Sequence, residues 1–199
     1  MNANAPSVAS DMQGLVAAEV ERQVKALREE MDAKIAAVRE RTVDDAATIV
    51  VFSGDLDKVL AGFVIATGAA AAGLETCMFF TFWGLSALKK KGASGGSKNV
   101  LEKMFAMMTP ASSESLPTSK MNYFGVGAVM LRKMMKDKQI ATLEELIGIA
   151  RDMDVKMIAC TMSMDAMGVS KEELVDGLTY GGVATYMADA VRSRVTLFI

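Results

Sequence analysis

Residues 155–160 are Val155-Lys156-Met157-Ile158-Ala159-Cys160, and they are followed at once by Thr161-Met162-Ser163-Met164-Asp165-Ala166-Met167-Gly168. The apolar run predicts a buried strand that delivers the Cys160 thiol to its carboxyl edge, where open α/β sheets do their chemistry. A helical turn beginning at Thr161 would stabilise a thiolate through its unpaired N–H groups. Position alone leaves two interpretations open, because a cysteine at a strand end is also a common small apolar core residue.

The composition bounds the class of protein. With 199 residues, 51% hydrophobic and 23% charged, the chain suits one globular α/β domain with an appendage. A net charge of −2 and a pI near 5.3 provide no global basic field, so nucleic acid is not expected as a partner.

Histidine is absent, and the only cysteines are Cys77 and Cys160. Ser-His-Asp and Cys-His catalysis are therefore excluded, and no CxxC spacing suggests a zinc site. We expect neither a metal nor a cofactor. Any activation of Cys160 has to come from the backbone.

The N-terminal residues lack the basic and apolar regions of a secretory signal, so a cytoplasmic, reducing compartment is expected. The longest uncharged run, Val59 to Leu74, is shorter than the ~18 to 20 residues of a membrane span, and Glu75 separates it from the apolar residues that follow. We interpret this region as a buried helix and a buried strand, and no membrane is expected as a partner.

Residues 11 to 41 form a separate block with helical periodicity. Apolar residues recur at alternating steps of three and four residues, at Ala17, Val20, Val24, Leu27, Met31 and Val38. The pattern predicts an N-terminal amphipathic helix that is a coiled-coil candidate, with Lys34 and Arg41 as weak points of the seam. Two interpretations stay open: self-association, or packing of the helix on its own domain.

From Thr48 onward, short apolar runs alternate with helical stretches, which is typical of a parallel α/β sheet. The predicted strands are 48–52, 76–82, 155–160 and 195–199. Helices are predicted over 56–72, in a short basic segment ending at Lys91, on both sides of the loop 109–118, and after the capping boxes that begin at Thr142 and Ser170. The Gly/Ser-rich composition of residues 92–97 predicts a flexible segment. The predicted organisation is a tail and helix over 1–44 and an α/β domain over 46–199.

Five segments resemble the DsrE/DsrF/DsrH-like superfamily, in particular the DsrE-like branch often labelled peroxiredoxin family protein. The segments are Ser53-Gly54-Asp55-Leu56-Asp57-Lys58, Met78-Phe79-Phe80-Thr81-Phe82-Trp83-Gly84, Ser119-Lys120-Met121-Asn122-Tyr123-Phe124-Gly125, Ala159 to Gly168, and Asp176-Gly177-Leu178-Thr179-Tyr180-Gly181-Gly182-Val183-Ala184. The resemblance covers about residues 46 to 199, and the block around Cys160 is its most specific part.

The resemblance implies a flavodoxin-like parallel sheet flanked by helices, a homo-oligomer, and a role in intracellular sulfur relay. In such a relay one cysteine, which maps onto Cys160, accepts sulfane sulfur as a persulfide. TusA-like carriers and rhodanese-type donors would be its partners. Cys77 lies outside the family motif, and we interpret it as a core residue.

A persulfide carrier needs an accessible thiolate, backbone groups near the terminal sulfur and a dry surrounding. The candidate pocket residues around Cys160 are Ser53, Gly54, Asp55, Gly84, Lys120, Thr161, Met162, Gly181 and Gly182. Several have a simpler interpretation: the glycines permit turns, Ser53 and Asp55 cap a helix, and Lys120 lies on a solvated face. Four methionines near Cys160, at 157, 162, 164 and 167, leave copper(I) binding as a minor alternative to core packing.

Two functions from other classes remain open. A thiol-dependent peroxide-reducing protein would also use a lone reactive cysteine, but it usually requires a resolving thiol or an external reductant. A non-catalytic oligomeric scaffold would use the N-terminal helix and leave Cys160 structural.

Overall fold

The computed structural model describes residues 5–41, 44–92 and 109–199. The chain divides into two units, Met1–Thr42 and Val43–Ile199. The first unit contains one helix, α1 (Ala5–Arg41), of 37 residues. The predicted N-terminal helix is therefore confirmed, and at 1.5 Å per residue it is about 55 Å long.

The second unit is an α/β domain. Its strands are β1 (Asp44–Val51), β2 (Glu75–Phe80), β3 (Lys156–Cys160), β4 (Thr179–Gly181) and β5 (Ser193–Phe198). Its α-helices are α2 (Leu56–Ala71), α3 (Val126–Asp137), α4 (Leu143–Asp152), α5 (Thr161–Met167) and α6 (Val183–Ala190). Short 3₁₀ turns cover Phe82–Leu88, Ser113–Ser115, Tyr123–Gly125 and Lys171–Glu173.

The five strands form one sheet in the order β4-β3-β2-β1-β5, and all neighbouring pairs are parallel. This is the expected flavodoxin-like α/β arrangement. The chain moves outward from β1 to β4 and then returns to place β5 on the other side of β1, so the direction of winding reverses there. All carboxyl ends lie at one edge, which is the edge that carries Cys160.

Within residues 44–92 and 109–199, the two faces of the sheet are covered unequally. On one face, Ile49, Val51, Met78 and Phe80 pack with apolar residues of α2 to α5 in the large core. On the other face, a smaller cluster contains Cys77, Phe79, Ile158, Cys160 and Tyr186 of α6. Strand alternation explains the division, since successive side chains point to opposite faces.

The predicted strands are confirmed, with β1 beginning four residues earlier than expected. The capping box at Thr142 is present and opens α4. The box at Ser170 is also present, but it opens only the three-residue turn Lys171–Glu173 instead of a helix. Neither β4 nor α6 was predicted, because three residues around Tyr180 are too few to show a strand period.

The run Val59 to Leu74 forms most of α2, as expected for a buried helix. None of the helices described is long and apolar enough to cross a membrane. Residues 93–97 of the predicted flexible segment, and the helix predicted before residue 109, lie outside the described residues.

Candidate functional site

Cys160 is the last residue of β3 and the N-cap residue of α5, with φ −70° and ψ 111°. The predicted sequence of strand, thiol and helical turn is therefore present. Thr161 opens α5 and is half-buried, whereas Met162 is exposed. The helix is anchored by a buried hydrogen bond of 2.8 Å between the hydroxyls of Thr81 and Ser163.

The Cys160 side chain has an exposed fraction of 0%. We expected an accessible thiol, and in this structure the thiol is buried. Cys160 pairs with Gly181 in the edge strand β4, and its side chain shares a cluster with Tyr186 of α6. Strand alternation turns Cys160 toward the α6 face, so β4 and α6 together cover it.

The two predicted glycines of this cover have different environments. A Cβ on Gly181 would lie 2.6 Å from Thr185 Oγ1, so Gly181 permits a close approach between β4 and the first turn of α6. Gly182 is the N-cap residue of α6, and a Cβ there would meet nothing within 4 Å. Only Gly181 is required sterically.

Ser53, Gly54 and Asp55 lie together, but in a different place from Cys160. They line a cavity of about 370 Å³ at the end of β1, together with Phe52, Lys58, Trp83, Ser86, Pro110 and Pro117. Cys160 is not among the lining residues. Because Cys160 faces α6 and α2 packs on the opposite face, the expectation that one pocket holds all of these residues is wrong.

The polar wall of this cavity is a small network. Ser53 Oγ donates to Asp55 Oδ2 at 2.9 Å, and the Asp55 N–H donates to Ser53 Oγ at 3.1 Å. Lys58 Nζ lies 2.8 Å from Asp55 Oδ2, and this contact raises the pKa of Lys58. Ser86 Oγ is buried and has no hydrogen-bond partner among the described residues.

Sequence reasoning missed most of the cavity wall. Lys58 and Trp83 belong to the family-like segments Ser53–Lys58 and Met78–Gly84. Lys58 is one helical turn after Asp55, and this spacing could have indicated that the two side chains meet. Pro110 and Pro117 carried no signal, since a long chain segment separates them from β1. Gly54 fits closely here, because a Cβ would lie 2.9 Å from the Trp83 carbonyl oxygen.

Gly84 and Lys120 do not line the cavity. Gly84 is buried, and its N–H donates to the Phe52 carbonyl at 2.9 Å. A Cβ on Gly84 would lie 2.1 Å from the Val51 carbonyl oxygen, so its role is to let the turn pack against β1. Lys120 is exposed on the loop before α3.

Cys77 lies at the other end of the sheet. It lines an amino-edge cavity of about 480 Å³ beside Lys156 and Asp189, which form an ion pair of 2.8 Å. Burial, together with the Asp189 carboxylate, raises the pKa of Cys77 to about 12. A thiol with this pKa stays protonated at neutral pH and is a poor nucleophile.

The two thiols are too far apart to react with each other. Cys77 pairs with Lys156, four residues before Cys160 on β3. Four strand residues span about 13 Å, whereas a disulfide needs Cα atoms within about 7 Å. Cys77 therefore cannot resolve an oxidised Cys160 within one chain.

The methionines near Cys160 do not form a copper site with it. Met157, Met164 and Met167 belong to the large core on the opposite face of the sheet. Among the residues that the structure describes, no group of three or more Cys, Asp or Glu side chains is arranged to hold a metal ion.

Residues 43–198 match the DsrE/DsrF/DrsH-like family, and the chain belongs to that family. The uncharacterized protein YrkE of Bacillus subtilis (strain 168) is 47% identical over 152 residues, covering 76% of this chain and 95% of YrkE. The sulfur carrier protein DsrE2 of Allochromatium vinosum is 35% identical over 160 residues, covering 76% of this chain and 96% of DsrE2. The crystal structure of the ychN protein from E. coli is similar over 77% of this chain and 99% of its own, with a TM-score of 0.43 and 11% identity.

Proposed function

We propose that this chain is a sulfur-relay protein that carries sulfane sulfur as a persulfide on Cys160. Family membership and the 35% identity to a protein named a sulfur carrier support a role in sulfur transfer. The observation that selects Cys160 is its position at the carboxyl end of β3 and the start of α5. Cys77, with its pKa raised to about 12, is the poorer candidate.

The sulfur transfer is an exchange between a thiolate and a persulfide, so it needs no oxidant. The Cys160 thiolate attacks the outer sulfur of a donor persulfide, R–S–SH, and a new Cys160 S–S bond forms as the donor S–S bond breaks. The donor leaves as a thiol, R–SH. The reverse exchange with an acceptor thiolate unloads the protein. Partners are TusA-like or rhodanese-like thiol proteins of a reducing, cytoplasmic compartment.

The burial of Cys160 makes local opening part of this proposal. Its cover is β4, an edge strand of three residues, and α6, a helix of eight. Short edge elements have low local unfolding free energies. Cys160 therefore becomes reactive when the β4–α6 segment moves away, and closing the segment afterwards keeps water from the persulfide.

We also propose that the chain self-associates through α1. Its stripe residues Val20, Val24, Leu27 and Met31 are all exposed within the first unit. Arg22 pairs with Glu19 at i,i+3, and the seam residue Lys34 pairs with Glu30 at i,i+4. A second copy would cover the stripe as in a coiled coil.

The test of the carrier function is intact-mass analysis after incubation with a persulfidated thiol or polysulfide. We expect a gain of one sulfur atom in the wild type and in Cys77→Ser, and none in Cys160→Ser. Loading that survives in Cys160→Ser would contradict the assignment. Rapid sulfenic acid formation with peroxide, without sulfur loading, would favour the peroxide-reducing alternative.

A further inference from the structure

An exposed apolar surface lies on the loop Ser119–Gly125 and the first turns of α3. We call this surface the apolar tip, and its residues are Met121, Tyr123, Phe124, Val126, Val129 and Met130. Phe124 is fully exposed, and Met121 and Tyr123 are 74% and 71% exposed. Large contiguous apolar patches on a protein surface mark interaction sites.

The backbone holds the apolar tip outward. Met121, Tyr123 and Phe124 have φ values of 56°, 36° and 59°, in the left-handed region that costs an ordinary residue about 1–2 kcal/mol. Such conformations persist only where the surroundings enforce them. Here a Cβ on Gly127 would lie 2.0 Å from the Met121 carbonyl oxygen, so the loop is folded tightly onto the start of α3.

Two anchors fix the base of this segment. The Ser119 N–H donates to Asp57 Oδ1 at 2.7 Å, and its hydroxyl donates to the other carboxylate oxygen. Arg132 donates to the Leu116 carbonyl at 3.1 Å. The apolar tip is thus presented on a fixed support, which lowers the ordering cost of a contact.

Cationic side chains follow the apolar tip along α3. Residues 119–138 contain five basic residues and one acidic residue, a net charge of +4 in a chain whose total is −2. Four of the five are exposed lysines that form no ion pair within the described residues: Lys120, Lys133, Lys136 and Lys138. This segment is a basic amphipathic element.

We propose that the apolar tip and these lysines dock the protein on an anionic lipid surface. The full exposure of Phe124 leaves its ring free to insert into the soft apolar layer of a bilayer. Val129 and Lys133 are one turn apart, about 6 Å along the helix axis. A bilayer has the same order, because interfacial segments bury their apolar side chains about 5–10 Å into the headgroup and acyl boundary while their lysines stay near the anionic headgroups.

The sequence predicts no membrane contact, because the run Val59 to Leu74 is too short to span a bilayer. A surface contact needs no span. It is independent of persulfide chemistry on Cys160, so either proposal can fail without the other.

The experiment is co-sedimentation of the full chain with vesicles of phosphatidylglycerol and phosphatidylcholine in equal parts, and with vesicles of phosphatidylcholine alone. Phe124→Ser tests the apolar tip, and the double variant Lys133→Glu/Lys136→Glu tests the charge. Val64→Ser is the matched apolar control, since Val64 is an exposed residue of α2. Lys25→Glu/Arg28→Glu is the charge control on α1. All substituted side chains are exposed, and circular dichroism checks that each variant is folded.

We expect the wild type to bind the anionic vesicles and to be released by high salt. Phe124→Ser should weaken the partition about tenfold, and Lys133→Glu/Lys136→Glu should weaken it by at least about tenfold. Both controls should bind like the wild type. Absence of vesicle binding, or binding that only the α1 variant weakens, would overturn the proposal. A change of subunit number in Phe124→Ser without vesicle binding would assign the tip to a contact between copies instead.

Discussion

Thr81 Oγ1 and Ser163 Oγ lie 2.8 Å apart, and both side chains are buried. Thr81 follows β2, and Ser163 lies in the first turn of α5, three residues after Cys160. The hydrogen bond therefore joins the ends of two neighbouring strands beside the candidate nucleophile. It fixes the first turn of α5, which begins directly after Cys160 and whose backbone N–H groups are the ones nearest the thiol in sequence.

We predict that Ser163→Ala lowers the free energy of unfolding by about 1–3 kcal/mol, because it leaves the buried Thr81 hydroxyl without its partner. The double variant Ser163→Ala/Thr81→Val should lose less than the sum of the two single variants. Urea unfolding measures both. Ser86→Ala is the matched control, since the buried Ser86 hydroxyl has no partner among the described residues, and we expect it to be neutral or stabilising. Equal losses in Ser163→Ala and Ser86→Ala would contradict the role of the bond.

The two glycines of the β4–α6 cover give a test of local opening. A Cβ on Gly181 would crowd Thr185, and overpacking of this kind costs about 1–3 kcal/mol. This cost destabilises the closed form of the β4–α6 segment. Gly181→Ala should therefore raise the fraction of molecules in which the segment is open and speed alkylation of Cys160 about tenfold or more. Gly182→Ala meets open space and should leave the rate unchanged. Mass spectrometry of the labelled peptide measures the rate, and equal rates in the two variants would count against opening through this segment.

The raised pKa of Cys77 predicts a dependence of stability on alkaline pH. Burial raises the pKa of the native Cys77 thiol to about 12, whereas an unperturbed thiol has a pKa near 9.0. Above the lower value the unfolded chain releases this proton and the native chain retains it. Stability therefore falls as pH rises through this window, with a contribution that approaches about 1.4 kcal/mol per pH unit. Urea unfolding against pH should show a shallower slope in Cys77→Ala, and identical slopes would contradict the assignment.

Much of the fold could be predicted because each strand of the sheet interior is an apolar run followed by a helix signal. β3 with Cys160 and the capping box at Thr142 were both visible in local sequence. β4 could not be predicted, since a strand of three residues is defined only by its pairing with β3. The 3₁₀ turn at Ser170 shows the same limit: a cap starts a helix, but tertiary contacts decide its length.

The candidate site could be predicted residue by residue but not as an arrangement. Gly54 and Asp55 do line a cavity, and Cys160 does end its strand. Which face of the sheet each occupies depends on strand register, and a shift of one residue reverses the face. The burial of Cys160 depends on α6, which the sequence pattern did not reveal.

The final prediction concerns α1. Removing residues 1–42 should leave a folded α/β domain, because β1 begins at Asp44 and keeps its hydrogen bond from the Asp44 N–H to the Arg192 carbonyl at 2.7 Å. The subunit number should fall, since the stripe containing Val24 and Leu27 is then lost. Light scattering measures the subunit number, and thermal unfolding followed by circular dichroism checks the domain.

Leu27→Lys in the full chain separates the stripe from the rest of the segment: a charge at the centre of a coiled-coil seam should lower the subunit number as the truncation does. Glu29→Lys, which lies off the stripe, is its control. If the truncated chain and Leu27→Lys both keep the full-length subunit number, α1 does not hold the copies together.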